Sequence, residues 1–312
     1  MAVTTGLHFE DWAAAYGSPY LIDEEAAADD AVLVEPAAPF ARTPVAEPAT
    51  DLAFVDGVRR LEALVYHRDA SGGLARGVVG AHACGAVIFR AGERPAFHRL
   101  RTRRLLIMGA GERRELASVP GYRWDAFAVG STYPEAPVQE FQKRMRKGEA
   151  TLAEALSAEG WLTIVDGPLY NVRTLDEPVV GYIKTHLQRR LSAELHARVP
   201  ELASAQRTPL FLARESYSAY VRIAPPGPHA SPWAGIVRIE LPESRGLGEA
   251  QRLADIVTCT LGRFAGVAYK DPRAPQNLLP IGALEAQLRH RLGPADRAAR
   301  AVRLSISTPV GP

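Results

Sequence analysis

Two short segments of the sequence could present carboxylates to a metal ion. An apolar run at residues 52–55 leads into Asp56-Gly57, and a second run at 161–165 leads into Asp166-Gly167. Continuous apolar runs of this length are typical of buried strands, so both aspartates are predicted at strand ends. On neighbouring strands they would share one edge of a sheet. Taken singly, each Asp-Gly pair favours a simple turn.

A third carboxylate falls inside a segment with helical periodicity. Residues 137–159 are predicted to form a helix whose apolar stripe consists of Phe141, Met145, Leu152 and Leu156. Glu149 lies within this stripe, where a carboxylate is costly unless a cation meets it. Glu149 is therefore either a metal ligand or an acid at the rim of an amphipathic helix. The presence of Asp56 and Asp166 favours the ligand.

Two further side chains follow the second aspartate on a segment, 178–202, that is predicted to be helical. Lys184 could reach a scissile phosphate, although a lysine on a helix is more often solvated. His186 could shuttle a proton, but a satisfied surface histidine is the favoured interpretation. Both residues are candidates of lower rank than the three acids.

Three carboxylates suit hard divalent cations that take oxygen ligands, Mg²⁺ or Mn²⁺. Two such ions can hold the attacking and leaving oxygens of a phosphodiester, with water as the nucleophile. This is nuclease chemistry. The sequence contains no phosphate-binding Gly-x-x-x-x-Gly-Lys loop, no Gly-x-Ser-x-Gly elbow and no His-Glu-x-x-His zinc motif. ATP hydrolysis and the common hydrolase mechanisms are therefore not predicted.

Composition limits the class of protein. The 312 residues are 47% hydrophobic and 23% charged, with a net charge of +2, so the chain lacks the excess charge that binds nucleic acid in bulk. Cys84 and Cys259 stand singly in apolar runs and are expected to be reduced core residues of a cytosolic protein. No signal segment or membrane span is evident, so a soluble cytoplasmic protein is expected.

The elements that must position the acids can be traced along the chain. Residues 1–50 are predicted to hold a short helix at 9–16 and a proline-rich connector at 35–50. Residues 52–89 are predicted to form a three-stranded antiparallel meander with Asp56 at the end of its first strand. A basic insertion at 91–134 follows. Its arginines are either a solvated face or a groove that tracks phosphates: Arg99, Arg101, Arg103, Arg104, Arg113 and Arg114.

The remaining elements complete an α/β fold. Strands are expected at 208–213, 217–224, 234–241 and 301–307, and helices at about 246–264 and 280–292. The sequence as a whole predicts a central mixed β-sheet with helices on both faces.

The chain also resembles the NurA nucleases, which process DNA ends, over about residues 50–292. The resemblance rests on the segments 54–57, 164–169, 181–185 and 236–242, on Glu149 and on the C-terminal helix. It implies an RNase H-like nuclease domain at 51–312 and a Mn²⁺ or Mg²⁺ site at Asp56, Glu149 and Asp166. It further implies 5′ to 3′ cleavage of single- and double-stranded DNA ends, a homodimer, and a HerA-type hexameric ATPase as partner.

The chain departs from the family at the segment that closes the site. Ala274 and Gly282 stand where the family has a tyrosine and a histidine. Asp271 is the best substitute for the lost acid-base group, with Arg273 and Asn277 as alternatives, although Asp271-Pro272 also fits a plain turn. This departure keeps two other functions open. One is a non-catalytic adaptor that stimulates a DNA-translocating ATPase, and the other is an RNA-directed nuclease of the same fold.

Overall fold

The structure, a computed structural model, describes residues 31–68, 73–169, 172, 179–213 and 215–307. The strands in these ranges are β1 (Val32–Leu33), β2 (Leu52–Arg68), β3 (Leu74–Phe89), β4 (Ala96–Met108), β5 (Asp125–Ala128), β6 (Leu162–Asp166), β7 (Val179–Ile183), β8 (Gln206–Arg207), β9 (Phe211–Ala213), β10 (Ser216–Arg222) and β11 (Ile236–Pro242). The α-helices are α1 (Ala136–Ala158), α2 (Ala193–Arg198), α3 (Leu247–Leu261), α4 (Leu279–Leu292) and α5 (Ala295–Ser307). The helix predicted at 9–16 lies outside the described residues.

The strands form one mixed sheet in the order β1-β9-β10-β11-β7-β6-β2-β3-β4-β5, and β8 pairs with β10. Strands β9, β10, β11 and β7 pair antiparallel, whereas β6 with β7 and β4 with β5 are parallel. The predicted α/β class with a central mixed sheet is confirmed. None of the helices in the described ranges has the length and apolar character needed to cross a bilayer.

The chain divides into two compact units. The first comprises Met1–Phe54, Ile88–Pro95 and Ala153–Gly282. Its largest core cluster joins buried side chains of β6, β7, β10 and β11 to the apolar face of α3. The proline-rich connector is tied to this unit by a buried ion pair, in which Arg207 donates to Glu35 at 2.6 Å.

The second unit comprises Val55–Val87, Ala96–Leu152 and Ala283–Pro312. One core cluster joins β3 and β4 to Phe141 on α1, and another joins the same strands to Val302 on α5. Strands β4 and β5 lie within the segment predicted as a basic insertion, where they pair in parallel.

Several predicted elements are confirmed within one to three residues: α1, the strands β9, β10 and β11, and the helices α3 and α4. The helix predicted over 178–202 is wrong at its start, because β7 occupies Val179–Ile183 and helix resumes only in α2. All five residues of β7 are buried, as expected of a strand with neighbours on both sides. The strand predicted at 301–307 is also wrong. Those residues end α5, whose buried side chains recur at helical spacing.

The region around Asp56 differs from the predicted meander. Strand β2 runs without interruption from Leu52 to Arg68, so Asp56-Gly57 is neither a turn nor a strand end. The three successive neighbours in the sheet are β2, β3 and β4. Asp56 therefore stands in the middle of a long strand, where the backbone is held on both sides of it.

Candidate functional site

Asp56 is a buried carboxylate on β2, with 6% of its surface exposed. Successive side chains of a strand point to opposite faces of the sheet. Asp56, Val58 and Arg60 therefore share one face of β2, and Gly57 belongs to the other. This alternation decides which helices each residue meets.

Glu149 lies against Gly57. The predicted stripe on α1 is confirmed, because Phe141, Met145, Glu149, Leu152 and Leu156 are all buried. A Cβ atom added to Gly57 would overlap Oε1 of Glu149 and lie 3.1 Å from its Cδ. Gly57 thus leaves the space that the Glu149 carboxylate occupies. Because Asp56 precedes Gly57 on the strand, Glu149 and Asp56 meet β2 from opposite faces.

Cys84 on β3 belongs to the surroundings of Glu149. Its Sγ lies 3.3 Å from the position of a Cβ on Gly148, the residue before Glu149. Burial, reinforced by the charge of Glu149, raises the pKa of the Cys84 thiol to about 11. The thiol is therefore protonated at neutral pH and behaves as the core residue that the sequence predicts.

Glu285 on α4 is a candidate that the sequence interpretation missed. It is 5% exposed and lies between the buried side chains of Leu284 and Leu288, and its Oε2 accepts a hydrogen bond from Arg289 at 3.0 Å. The signal was present: Glu285 interrupts an apolar stripe of α4 in the way that Glu149 interrupts the stripe of α1.

Within the described residues, one group of acids could hold a metal ion. Asp56, Asp166 and Glu285 each offer a carboxylate oxygen within 4.8 Å of the other two. The structure therefore brings together the two aspartates that the sequence predicts. Glu149, the predicted third ligand, is not a member of this acidic cluster, and Glu285 takes the third place. The physical reason is the strand alternation that sets Glu149 on the Gly57 face of β2.

The Asp166 carboxylate is held by Lys184. Asp166 ends β6 opposite Tyr182 of the parallel strand β7, and Lys184 follows the last residue of β7. Lys184 Nζ donates to Asp166 Oδ2 at 2.6 Å and to Asn277 Oδ1 at 2.8 Å. Only 11% of the Lys184 side chain is exposed. The interpretation of Lys184 as a solvated helical lysine is wrong, because it follows a buried strand.

The loop after Asp166 is anchored by a second buried acid. Glu240 on β11 accepts a hydrogen bond from the backbone N–H of Leu169 at 3.0 Å and another from Arg238 at 2.6 Å. Gly167, between Asp166 and this anchor, has a φ of +120°, which favours glycine. The position of Asp166 is thus fixed from both sides.

Asp271 is linked to Lys184 through Asn277. Asn277 Nδ2 donates to Asp271 Oδ2, and the backbone N–H of Arg273 donates to Asp271 Oδ1 at 2.8 Å. Burial alone would raise the pKa of Asp271, but these hydrogen bonds and the charge of Arg273 lower it below its ordinary value. A Cβ on Gly282 would lie 3.0 Å from Asp271 Oδ2. The Asp271 carboxylate therefore occupies space next to residue 282.

His186 lies apart from these groups. It is 3% exposed, and its Nε2 lies 3.0 Å from the carbonyl oxygen of Ile236. Burial lowers the pKa of His186 to about 4, and the ring packs against Tyr220 and Trp233. The prediction of a surface histidine is wrong in its location. A neutral core histidine in this setting is structural.

Several arginines of the basic segment are paired with acids. Arg103 donates to Asp125 at 2.8 Å, and Arg104 donates to Glu62 at 3.1 Å while stacking over Tyr122. These contacts engage Arg103 and Arg104 in the second unit. The role of the cluster in tracking phosphates stays a prediction.

The fold and the site together define a mixed α/β protein with a largely buried cluster of three carboxylates and an adjacent lysine. Searches against protein-family models and against curated proteins found no match to this chain.

Proposed function

We propose that the chain is a divalent-metal-dependent nuclease that cleaves DNA. The observation that carries the proposal is the acidic cluster, in which Asp56, Asp166 and Glu285 each bring one oxygen within 4.8 Å of the other two. Three carboxylates in and next to the core repel one another, and a bound cation offsets that cost. Such a site is selected for what it binds, because apolar side chains would pack there at lower cost.

The donor set favours Mn²⁺ or Mg²⁺, because all three ligands are hard oxygen donors. Such an ion, when bound, would activate water and stabilise the charge that develops on a phosphodiester. The residues around the site would do the rest. Asp56 and Glu285 supply ligands from a strand and a helix, and Lys184 places an ammonium beside Asp166 at 2.6 Å, where it could neutralise a phosphate oxygen.

The substrate and the partners in this proposal come from the resemblance to the NurA nucleases. DNA ends, an RNase H-like core, 5′ to 3′ polarity, a homodimer in the cytoplasm and a HerA-type ATPase partner belong to it. The corresponding biological role is the processing of DNA ends during double-strand-break repair.

Cleavage of end-labelled single- and double-stranded DNA in Mn²⁺, Mg²⁺ or EDTA tests the proposal. The wild type should cut only with metal, and Asp56→Asn and Glu285→Gln should each lower the rate about 100-fold or more, as loss of a metal ligand does. The exposed Glu159→Gln on the segment after α1 is the matched control and should cut normally. Metal-independent cutting would refute the proposal.

The variant Glu149→Gln separates two possible ligand sets. If the acidic cluster binds the metal, Glu149→Gln should retain more activity than Glu285→Gln. The reverse order would restore the ligand set of Asp56, Glu149 and Asp166 that the sequence predicts, and would remove Glu285 from the site.

One observation favours a second function. Ala274 and Gly282 replace the tyrosine and histidine of the family, and Ala274 is itself buried at 5% exposure. A chain without these groups could act as an adaptor that stimulates a DNA-translocating ATPase. An inactive wild type that raises the turnover of a HerA-type ATPase, equally well with Asp56→Asn, would establish the adaptor.

A further inference from the structure

Four polar side chains form a continuous chain of hydrogen bonds in the first unit. Asp271 Oδ2 accepts from Asn277 Nδ2, and Asn277 Oδ1 accepts from Lys184 Nζ at 2.8 Å. Lys184 Nζ then donates to Asp166 Oδ2 at 2.6 Å. Acceptors and donors therefore alternate from one carboxylate to the other.

The orientation of the Asn277 amide decides whether this chain can exist. An asparagine amide has a donor end and an acceptor end, and a lysine ammonium can only donate. The chain therefore requires that Asn277 turn its oxygen toward Lys184. Asp271, ionised at neutral pH, accepts only and so fixes the NH₂ end on its own side. Asn277 is 1% exposed, so water does not compete for either end.

The backbone around Asn277 is tied to the strand that precedes Lys184. The hydroxyl of Tyr182 on β7 donates to the carbonyl oxygen of Gln276 at 2.6 Å, and Tyr182 is fully buried. Gly282 lacks a side chain where the Asp271 carboxylate lies. The segment 271–277 is thus docked on β7 at the level of Lys184.

We propose that Asp271 and Asn277 are positioning residues that hold the Lys184 ammonium against Asp166, facing a substrate phosphate. The inference rests on the proposed nuclease function and deepens it. Without the pair, Lys184 would gain rotamer freedom, and its charge would spend less time at the site.

Exchange of the two side chains tests the proposal. Asp271→Asn and Asn277→Asp should each lower kcat about tenfold or more in Mn²⁺, with KM for DNA changed less than about threefold. The double variant Asp271→Asn/Asn277→Asp restores an amide and a carboxylate in reversed order, and the carboxylate introduced at position 277 would accept directly from Lys184. Its kcat should recover at least threefold over the poorer single variant. The exposed Glu201→Gln in the same unit is the control and should be unchanged.

Two results would overturn the proposal. One is a double variant no better than the poorer single variant, with all proteins melting within a few degrees of the wild type. The other is wild-type kcat in both single variants. A single variant that fails to fold leaves the other single variant and the double variant to decide.

An NMR measurement separates this proposal from the nuclease function. The side-chain amide of Asn277, identified by its loss in Asn277→Asp, should show one slowly exchanging proton in the wild type and fast exchange in Asp271→Asn. A wild type that does not cleave DNA but shows this protection would refute the nuclease function while the hydrogen-bond chain stands. A wild type that cleaves but shows no protection would refute the positioning role alone.

Discussion

At the scale of single residues, Gly57 makes room for Glu149. The substitution Gly57→Ala would place a methyl group on Oε1 of the buried Glu149 carboxylate. We expect a loss of about 1–3 kcal/mol in the free energy of unfolding, measured with urea, because a packed site must accept extra volume. Gly248→Ala in α3 is the control, since nothing lies within 4 Å of its new methyl group. It should be neutral or slightly stabilising.

A double-mutant cycle assigns the Gly57→Ala effect to Glu149. In the Glu149→Ala background the carboxylate is gone, so Gly57→Ala should cost much less than in the wild type. An equal cost in both backgrounds would show that the strain lies in the β2 backbone instead.

His82 supplies a prediction about pH, also at the residue scale. Its ring meets Phe141 edge to face at 6.0 Å, and burial, with the charge of Arg103, lowers its pKa to about 4. The unfolded value is about 6.5, so the unfolded chain binds a proton first. The stability from neutral His82 is complete above pH 6.5 and is lost as the pH falls toward 4. In this window His82→Asn should reduce the slope of unfolding free energy by up to about 1.4 kcal/mol per pH unit. An unchanged slope would contradict the burial of a neutral ring.

At the scale of elements, two arginines connect α4 to the sheet. Arg60 on β2 and Arg104 on β4 both donate to Glu62, at 2.8 and 3.1 Å, and both donate to the last carbonyls of α4 at Leu292. The Glu62 side chain is fully buried. Glu62→Ala should cost about 3–5 kcal/mol in urea unfolding, because two partly buried guanidinium groups lose their counter-ion.

The exposed ion pair of Arg113 with Glu115 provides the matched control. Glu115→Ala should change stability by less than about 1 kcal/mol, since both partners stay solvated. Hydrogen exchange of the α4 amides should also accelerate in Glu62→Ala. If exchange in α4 stays at the wild-type rate, the arginines do not hold the helix that carries Glu285.

At the scale of the whole molecule, the acidic cluster predicts a link between metal and stability. Without metal, Asp56→Asn should melt at a higher temperature than the wild type, because one of three repelling carboxylates is neutral. Mn²⁺ at about 100 times its Kd should stabilise the wild type by about 2.7 kcal/mol. Asp56→Asn should gain little. Thermal unfolding in Mn²⁺ and in EDTA measures both effects, and equal gains in the two proteins would place the metal elsewhere.

The sequence by itself determined the fold class, most elements and two of the three clustered acids. It did so because apolar periodicity reports local structure: the stripe of α1 and the runs at β2 and β6 are visible residue by residue. The same periodicity misplaced β7, since its five buried residues carry no alternation and fit a buried helix equally well.

Only the tertiary structure decided which face each acid meets. Asp56 and Glu149 both stand out in the sequence, yet the alternation along β2 sets Glu149 on the Gly57 side and leaves the third place in the cluster to Glu285. Lys184, Asn277 and Asp271 are likewise distant in sequence and meet because β7 docks the 271–277 segment. Contacts between residues far apart in the chain depend on strand order and register, and no local pattern encodes either one.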